Sequence, residues 1–251
     1  MRRSLRLPAL LLALGLAFGF AACGDDGDEG ADDTTTTSST TASSTTSTTA
    51  SLKSDSAVAV ALDGTILSAA EVQAALGLSA APQPYAGTPA APAPPQGPLT
   101  LDGIAKVYPS DAYKGLLQQG EASVGANKSQ LVVVGQGGYV LNILAVKFKS
   151  AQTGGLFVQS ASGVATTFGG AKTNAHPEVK IGVTPGAVLV VPPAVGATNE
   201  TVVTSALMPD GVFYQVSASA PPVSVKDDVV IKVLTAQAAK YEKNKASIPA
   251  S

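Results

Sequence analysis

One cysteine and one histidine occur in 251 residues, and these two side chains bound the chemistry open to the chain. Cys23 closes the run Phe20-Ala21-Ala22-Cys23, where small residues precede a thiol. A cysteine in that setting resembles a bacterial lipobox, whose thiol takes a diacylglyceryl thioether and becomes the new N-terminus. The preceding residues fit export. Arg2, Arg3 and Arg6 form a basic segment, and Leu7–Ala22 is an apolar run of signal-peptide length, too short for a comfortable membrane span. We expect a signal peptide over 1–22 and lipidation of Cys23. Plain secretion would instead leave a stray thiol in an oxidising compartment. An uncleaved anchor would need a longer apolar stretch.

His176 sits in Asn174-Ala175-His176-Pro177-Glu178. As a triad base it would need a partner nucleophile, and as a zinc ligand it would need further strong donors. Neither G-x-S-x-G nor S-x-x-K occurs, so His176 reads as an exposed loop residue. Asp227-Asp228 are adjacent on a predicted helix and diverge, so they do not converge on one ion. Near a helix N-terminus their charges favour the macrodipole instead. Gly135-Gln136-Gly137-Gly138 lacks the full G-x-G-x-x-G and leads into a strand, which makes it a hairpin turn rather than a phosphate cradle. Asp26-Gly27-Asp28 lacks the later ligands of a calcium loop. The expectation is no catalytic residue, no metal site and no cofactor.

Composition narrows the partners. No arginine follows Arg6, so loss of 1–22 leaves 13 lysines against 18 acids. Six of those acids lie in Asp25–Asp33, next to the expected anchor. Beyond Ser51 the balance is 13 Lys against 12 Asp and Glu, far from the basic footprint that nucleic acid requires. Without arginine there is no bidentate grip on phosphate or carboxylate. Without tryptophan, a sugar-stacking platform or a rich aromatic hot spot is disfavoured.

The elements that must position these residues follow from pattern. Thr34–Ala50 is Ser or Thr at fifteen of seventeen positions, and with the acidic spacer it makes 23–56 a disordered tether. Its span is roughly 30 Å on average. A single domain over 57–251 follows. Ala57–Leu62 reads as a short strand. Ser68 and Glu71 form a capping box, Leu67 and Val72 a staple, and Gly77 a C-terminal cap. The proline-dense segment 80–98 reads as an extended loop, and Pro89-Ala90-Ala91-Pro92 within it fits a PxxP pattern. A helix is expected over Pro109–Gln119 with Ser110 as its cap, then strands Leu131–Val134 and Tyr139–Phe148. Ala151–Phe168 reads as a helix capped by Ser150, with Phe157, Ser160, Ala161, Val164 and Phe168 on one face. The small residues of its segment Leu156–Phe168 leave two options, an apolar ligand cavity against a sheet or close helix–sheet packing. Strands Ala187–Val191, Thr201–Leu207 and Val212–Ser219 follow. The last helix, Val225–Tyr241, has Ser224 as cap and Val230, Val233, Leu234, Gln237, Ala238 and Tyr241 as its buried stripe. The order predicts an α+β fold, an antiparallel sheet packed by helices.

The lipobox, the Thr/Ser stalk, Val107-Tyr108-Pro109, Val146–Ser150 and Gly211–Ala218 together resemble small actinobacterial cell-envelope lipoproteins of the LpqN-like group. Leu67–Gly77 is also similar to the opening helix of secreted mycobacterial sensor-type domains. The first resemblance implies a PsbP-like α/β/α sandwich, lipid-anchored on the extracytoplasmic face of the membrane. The anchor, the long tether and the absence of a catalytic constellation lead us to expect a non-catalytic binding module for an envelope protein or cell-wall partner, alternatively a carrier or sensor of a lipid or glycolipid in an apolar cavity, with a hydrolase a distant third. The resemblance supplies no catalytic motif for numbered positions here.

Overall fold

A computed structural model describes residues 45–88, 91–108, 110–135, 137–193, 198–220 and 225–249, with side chains from residue 55 onward except that of 91. The segment 1–22 expected to be a signal peptide, Cys23, Ser224 and part of the PxxP segment lie outside the described residues. The first half comprises α1 (Thr45–Thr65), α2 (Ala69–Leu76), β1 (Gln83–Pro84), β2 (Gly87–Thr88), β3 (Ala91–Pro92), β4 (Gly97–Thr100), α3 (Leu101–Ala105) and α4 (Ala112–Gln119). The second comprises β5 (Ala122–Val134), β6 (Gly137–Phe148), α5 (Ala151–Thr167), β7 (Lys172–Ile181), β8 (Thr184–Val191), β9 (Glu200–Leu207), β10 (Val212–Ala220) and α6 (Asp227–Asn244).

The sheet has eight strands and runs β1-β5-β6-β10-β9-β8-β7, with β4 also pairing β5. Every pairing is antiparallel. Val134 pairs with Gly137, so β5 and β6 meet in a two-residue hairpin that Gly135 enters at φ +61°. The glycine run thus lies where β5 passes into β6, with Gly137 and Gly138 already paired in the sheet.

Alternation along β6 places helices on both faces. Leu141, Ile143 and Ala145 join Val58 and Leu62 of α1, Val72 of α2, and Val230, Val233 and Tyr241 of α6. Leu144, Val146 and Phe148 join Ile104 of α3, Leu117 of α4 and Phe157 of α5. Successive strand side chains point to opposite faces, so these are two cores with the sheet between them. The result is the expected α+β fold, with helices above and below an antiparallel sheet.

Ala57–Leu62 is not a strand. It lies within α1, and Val58, Ala59, Leu62 and Ile66 are buried at helical spacing while Val60 is 59% exposed. AVAVAL alternates over too short a window to separate a period of 2 from one of 3.6. The helix also reaches back to Thr45, into residues assigned above to the tether. Asp55–Leu76, mean hydropathy 1.3, is long and apolar enough to cross a membrane, but its apolar side chains supply this core.

At α2, Ser68 Oγ accepts from Glu71 N, the Glu71 carboxylate accepts from Ser68 N, and Gly77 caps at φ +63°. Gln237 of the α6 stripe is fully buried. It accepts from Leu67 N at 3.0 Å and donates to Thr65 O at 2.9 Å, fixing the α1–α2 link.

The proline-dense segment is more ordered than its composition predicts. β1 and β4 both hydrogen-bond to β5, and β2 pairs β3. Asn127 Nδ2 donates to Pro95 O at 2.8 Å and Gln96 Nε2 to Tyr85 O at 2.8 Å. Proline is tolerated because this is the sheet's rim. α4 starts at Ala112, later than expected, and Ser110 Oγ accepts from Ala112 N at 3.3 Å. On α5, Phe157 is buried, but Ser160 is exposed and Phe168 is 84% exposed, so the inward face stops short of the predicted end.

Candidate functional site

His176 is the first position to reassign. It lies on β7, not in a loop, and its side chain is 22% exposed. Polar residues and Pro177 hide this strand from a pattern reading. Pro177 falls in the register shift between Ala175 and Lys180, where a missing N–H is harmless. Nδ1 lies 2.8 Å from Glu178 Oε1 and Nε2 3.1 Å from Asp227 Oδ2, which also accepts from Asn174 Nδ2 at 2.8 Å. Two carboxylates on two ring nitrogens favour imidazolium. The bonds to Asp227 and then Glu178 hold the His176 pKa above its ordinary value against partial burial. Neither nitrogen is left for a nucleophile. Asp228 turns away to Lys232 at 3.0 Å, so the two aspartates diverge as adjacent helical residues must. Among the described residues no three His, Cys, Asp or Glu side chains are placed to hold a metal ion. This cluster ties an edge strand to a helix start.

The α5 glycines divide by position. A Cβ on Gly154 would stand 2.8 Å from Leu207 Cδ1 and 3.1 Å from Phe148 Cδ2, whereas one on Gly163 would meet nothing within 4 Å. Close helix–sheet packing, not a chamber, accounts for Gly154. Among the described residues, two of the grooves are open to solvent. One, about 610 Å³, runs beside α3 and α4 and is lined by Asp102, Lys106, Tyr108, Asp111 and Lys114. Its charges are partly spent on each other, since Lys114 Nζ is 2.8 Å from Asp102 Oδ1. The other, about 440 Å³, lies between the β9–β10 turn and the end of α6.

Tyr108 leads from the first groove to a larger surface. Its ring stacks on Tyr113 with centroids 4.6 Å apart, burial pushes its phenol pKa up, and its hydroxyl donates to Gln215 Oε1 at 3.4 Å. Gln215 belongs to the second face of the sheet, beyond the end of the α3–α5 core. There the inward alternation gives way. Val140 and Asn142 of β6, Gln215, Ser217 and Ser219 of β10, and Thr201, Val203 and Ser205 of β9 are all half-buried. Asn142 is the register partner of Ser217, and Ser205 of Gln215, so these four polar side chains are neighbours across three strands.

No protein-family model matches the chain, and no curated protein matches it. Among solved structures it is similar to the extracellular domain of PknH from Mycobacterium tuberculosis. The identity is 16% and the TM-score 0.44, over 74% of this chain and 95% of that one. A likeness of that size assigns this chain neither a family nor an activity.

Sequence reading missed the open face because serine and asparagine within strands carry no motif. The signal was present in Val212–Ala220, VFYQVSASA, where aliphatic and hydroxyl residues alternate after an aromatic start. The same alternation separates the buried positions from the half-buried ones.

Proposed function

We propose that this chain is an actinobacterial cell-envelope lipoprotein, anchored through acylated Cys23 to the extracytoplasmic face of the membrane. Its folded unit is a non-catalytic module that binds an envelope partner through the open half of the sheet. The observation that carries this reading is the contiguous set Asn142, Ser205, Gln215 and Ser217, half-buried on a rigid sheet and uncharged. Binding residues are best placed on strands whose positions are fixed by a packed core, and here that core lies directly beneath. The lipobox supports the location. The lipid-carrier alternative calls for an enclosed apolar chamber beside α5, and the fit of Gly154 against Leu207 and Phe148 favours the surface instead.

Two experiments in cells test the two halves of this reading. Clickable palmitate should label the wild-type protein and not Cys23→Ala; equal labelling of both removes the anchor. A photo-crosslinking residue at Ser217 should yield an envelope adduct, while the same residue at Lys232 on α6 should not. Equal adducts from both positions, or none from Ser217, would remove the binding face.

A further inference from the structure

β7 ends the sheet and pairs with β8 alone. Its ladder runs from Lys172 to Ala175 and resumes at Lys180, so His176, Pro177, Glu178 and Val179 have no register partner. Four residues of β7 therefore face one residue of β8, Gly186. A Cβ on Gly186 would run into the backbone oxygens of His176 and Val179, so the bulge closes tightly over a glycine. Pro177 brings no N–H that could bond across the gap. Among the described residues, the side-chain hydrogen bond that leaves this bulge for another element is His176 Nε2 to Asp227 Oδ2, 3.1 Å away at the start of α6. The other ring nitrogen, Nδ1, lies 2.8 Å from Glu178 Oε1 within the bulge.

Only imidazolium donates from both nitrogens and so satisfies both carboxylates. A neutral ring keeps one N–H and turns a lone pair toward the other carboxylate. With the proton on Nδ1, the tie to α6 is broken. With the proton on Nε2, Glu178 is repelled from inside the bulge. Either tautomer undoes one side of the arrangement. The surrounding charges do not compensate. β8 carries no ionisable residue, and Asp228 is engaged with Lys232 at 3.0 Å. Lys172 on the same face of β7, Lys180 beyond the bulge and Lys226 before α6 form no ion pair among the described residues. Asn174 Nδ2 also donates to Asp227 Oδ2 at 2.8 Å, but Asn174 belongs to the paired part of the strand.

We infer that the bulge 176–179 is an acid-closed latch on the edge of the sheet, fastened to α6 while His176 is imidazolium and released when it gives up its proton. The inference is independent of the proposed binding face, which lies on the other side of the sheet from α6. The bonds to Asp227 and Glu178 raise the His176 pKa, so the latch is closed below the ordinary value of 6.5 while the carboxylates are ionised, and opens as pH rises through the folded value. Release leaves the backbone of the bulge open to water while the rest of the sheet stays paired.

Two measurements on the full chain in mild detergent test it. His176 is the only histidine, so a single imidazole Cε1–H resonance reports its titration by NMR. Its midpoint should lie above 6.5 in wild type and fall in Asp227→Asn. Amide hydrogen exchange of 172–181, corrected for the intrinsic rate at each pH, should lose about fivefold protection from one unit below that midpoint to one unit above it. Exchange in Thr201–Leu207 of β9 should not change. His176→Gln cannot become a cation and should show the open level of exchange in 172–181 at every pH. The wild-type profile decides the question even if a variant fails to fold. Corrected exchange of 172–181 that is flat with pH, an equal loss in β9, a midpoint at or below 6.5, or an undiminished pH dependence in folded His176→Gln would each overturn the inference.

Discussion

The face of the sheet beneath α1, α2 and α6 and the face beneath α3, α4 and α5 are built from the same strands but are filled differently. On β10, Val212, Tyr214, Val216 and Ala218 are at most 2% exposed and belong to the first core, while Gln215, Ser217 and Ser219 between them are half-buried. On β6 the run Ile143–Phe148 is buried at every position, whereas Val140–Asn142 alternates. Along β6, β9 and β10, burial on both sides thus gives way to burial on one side. The point of change is where the second layer of helices stops. The first face is devoted to stability throughout, and the second divides between stability and an exposed surface.

The sharpest way to break that comparison is to truncate one side chain to alanine on each face. Ile143→Ala, on the first face and fully buried, should cost about 2–5 kcal/mol. Ser217→Ala, on the open half, should stay within about 0.5 kcal/mol. Urea unfolding of both variants decides it. A loss at Ser217 comparable to that at Ile143 would mean that the open half is part of the core.

A smaller contrast lies within α5. Gly154→Ala drives a methyl into Leu207 and Phe148 and should cost about 1–3 kcal/mol. Gly163→Ala places a methyl in open space on a helix and should gain about 0.5–1 kcal/mol. Thermal midpoints moving in opposite directions would confirm that the second core ends between these residues. A stabilising Gly154→Ala would show that the helix stands off the sheet with room to spare.

How far these features were legible in sequence depends on how each residue signals. Ser68, Glu71 and Gly77 announced α2 because caps are local chemistry between residues three to six apart. The α6 stripe was readable for the same reason, including Gln237, whose partners lie about 170 residues away and were not. β7 was invisible. An edge strand interrupted by Pro177 and exposed on most of its length has no apolar period to detect. β1 and β4 were hidden by proline, which composition reads as loop although the rim of a sheet accommodates it. The candidate face was the least legible part, since it exists only when β6 pairs with the β9–β10 hairpin about 60 residues later and brings Asn142 beside Ser205, Gln215 and Ser217.

The smallest effect sharpens the comparison within the first face, at the two ends of α6. Near its C-terminal end, Lys240 Nζ stands 2.7 Å from Glu71 Oε2. Burial pushes the Glu71 carboxyl up, but the bonds from Lys240 and Ser68 outweigh it and bring the pKa from 4.5 down to about 2. A depressed carboxylate stabilises the fold above its unfolded value and loses that contribution as pH falls toward the folded one. The difference between wild type and Glu71→Gln should therefore be full above 4.5 and shrink as pH approaches 2. At the N-terminal end the sign reverses. His176 has a raised pKa, so its tie to Asp227 contributes fully below the ordinary histidine value of 6.5, provided the carboxylates stay ionised, and is lost as pH rises through the folded pKa. The difference between wild type and His176→Ala should be largest just below 6.5 and vanish in the alkaline range. Both ties are partly exposed and screened by salt, so the shifts in thermal midpoint will be modest and larger at low ionic strength. Differences that run the same way with pH for both variants would mean that one end of α6 is held by something other than its ion pair.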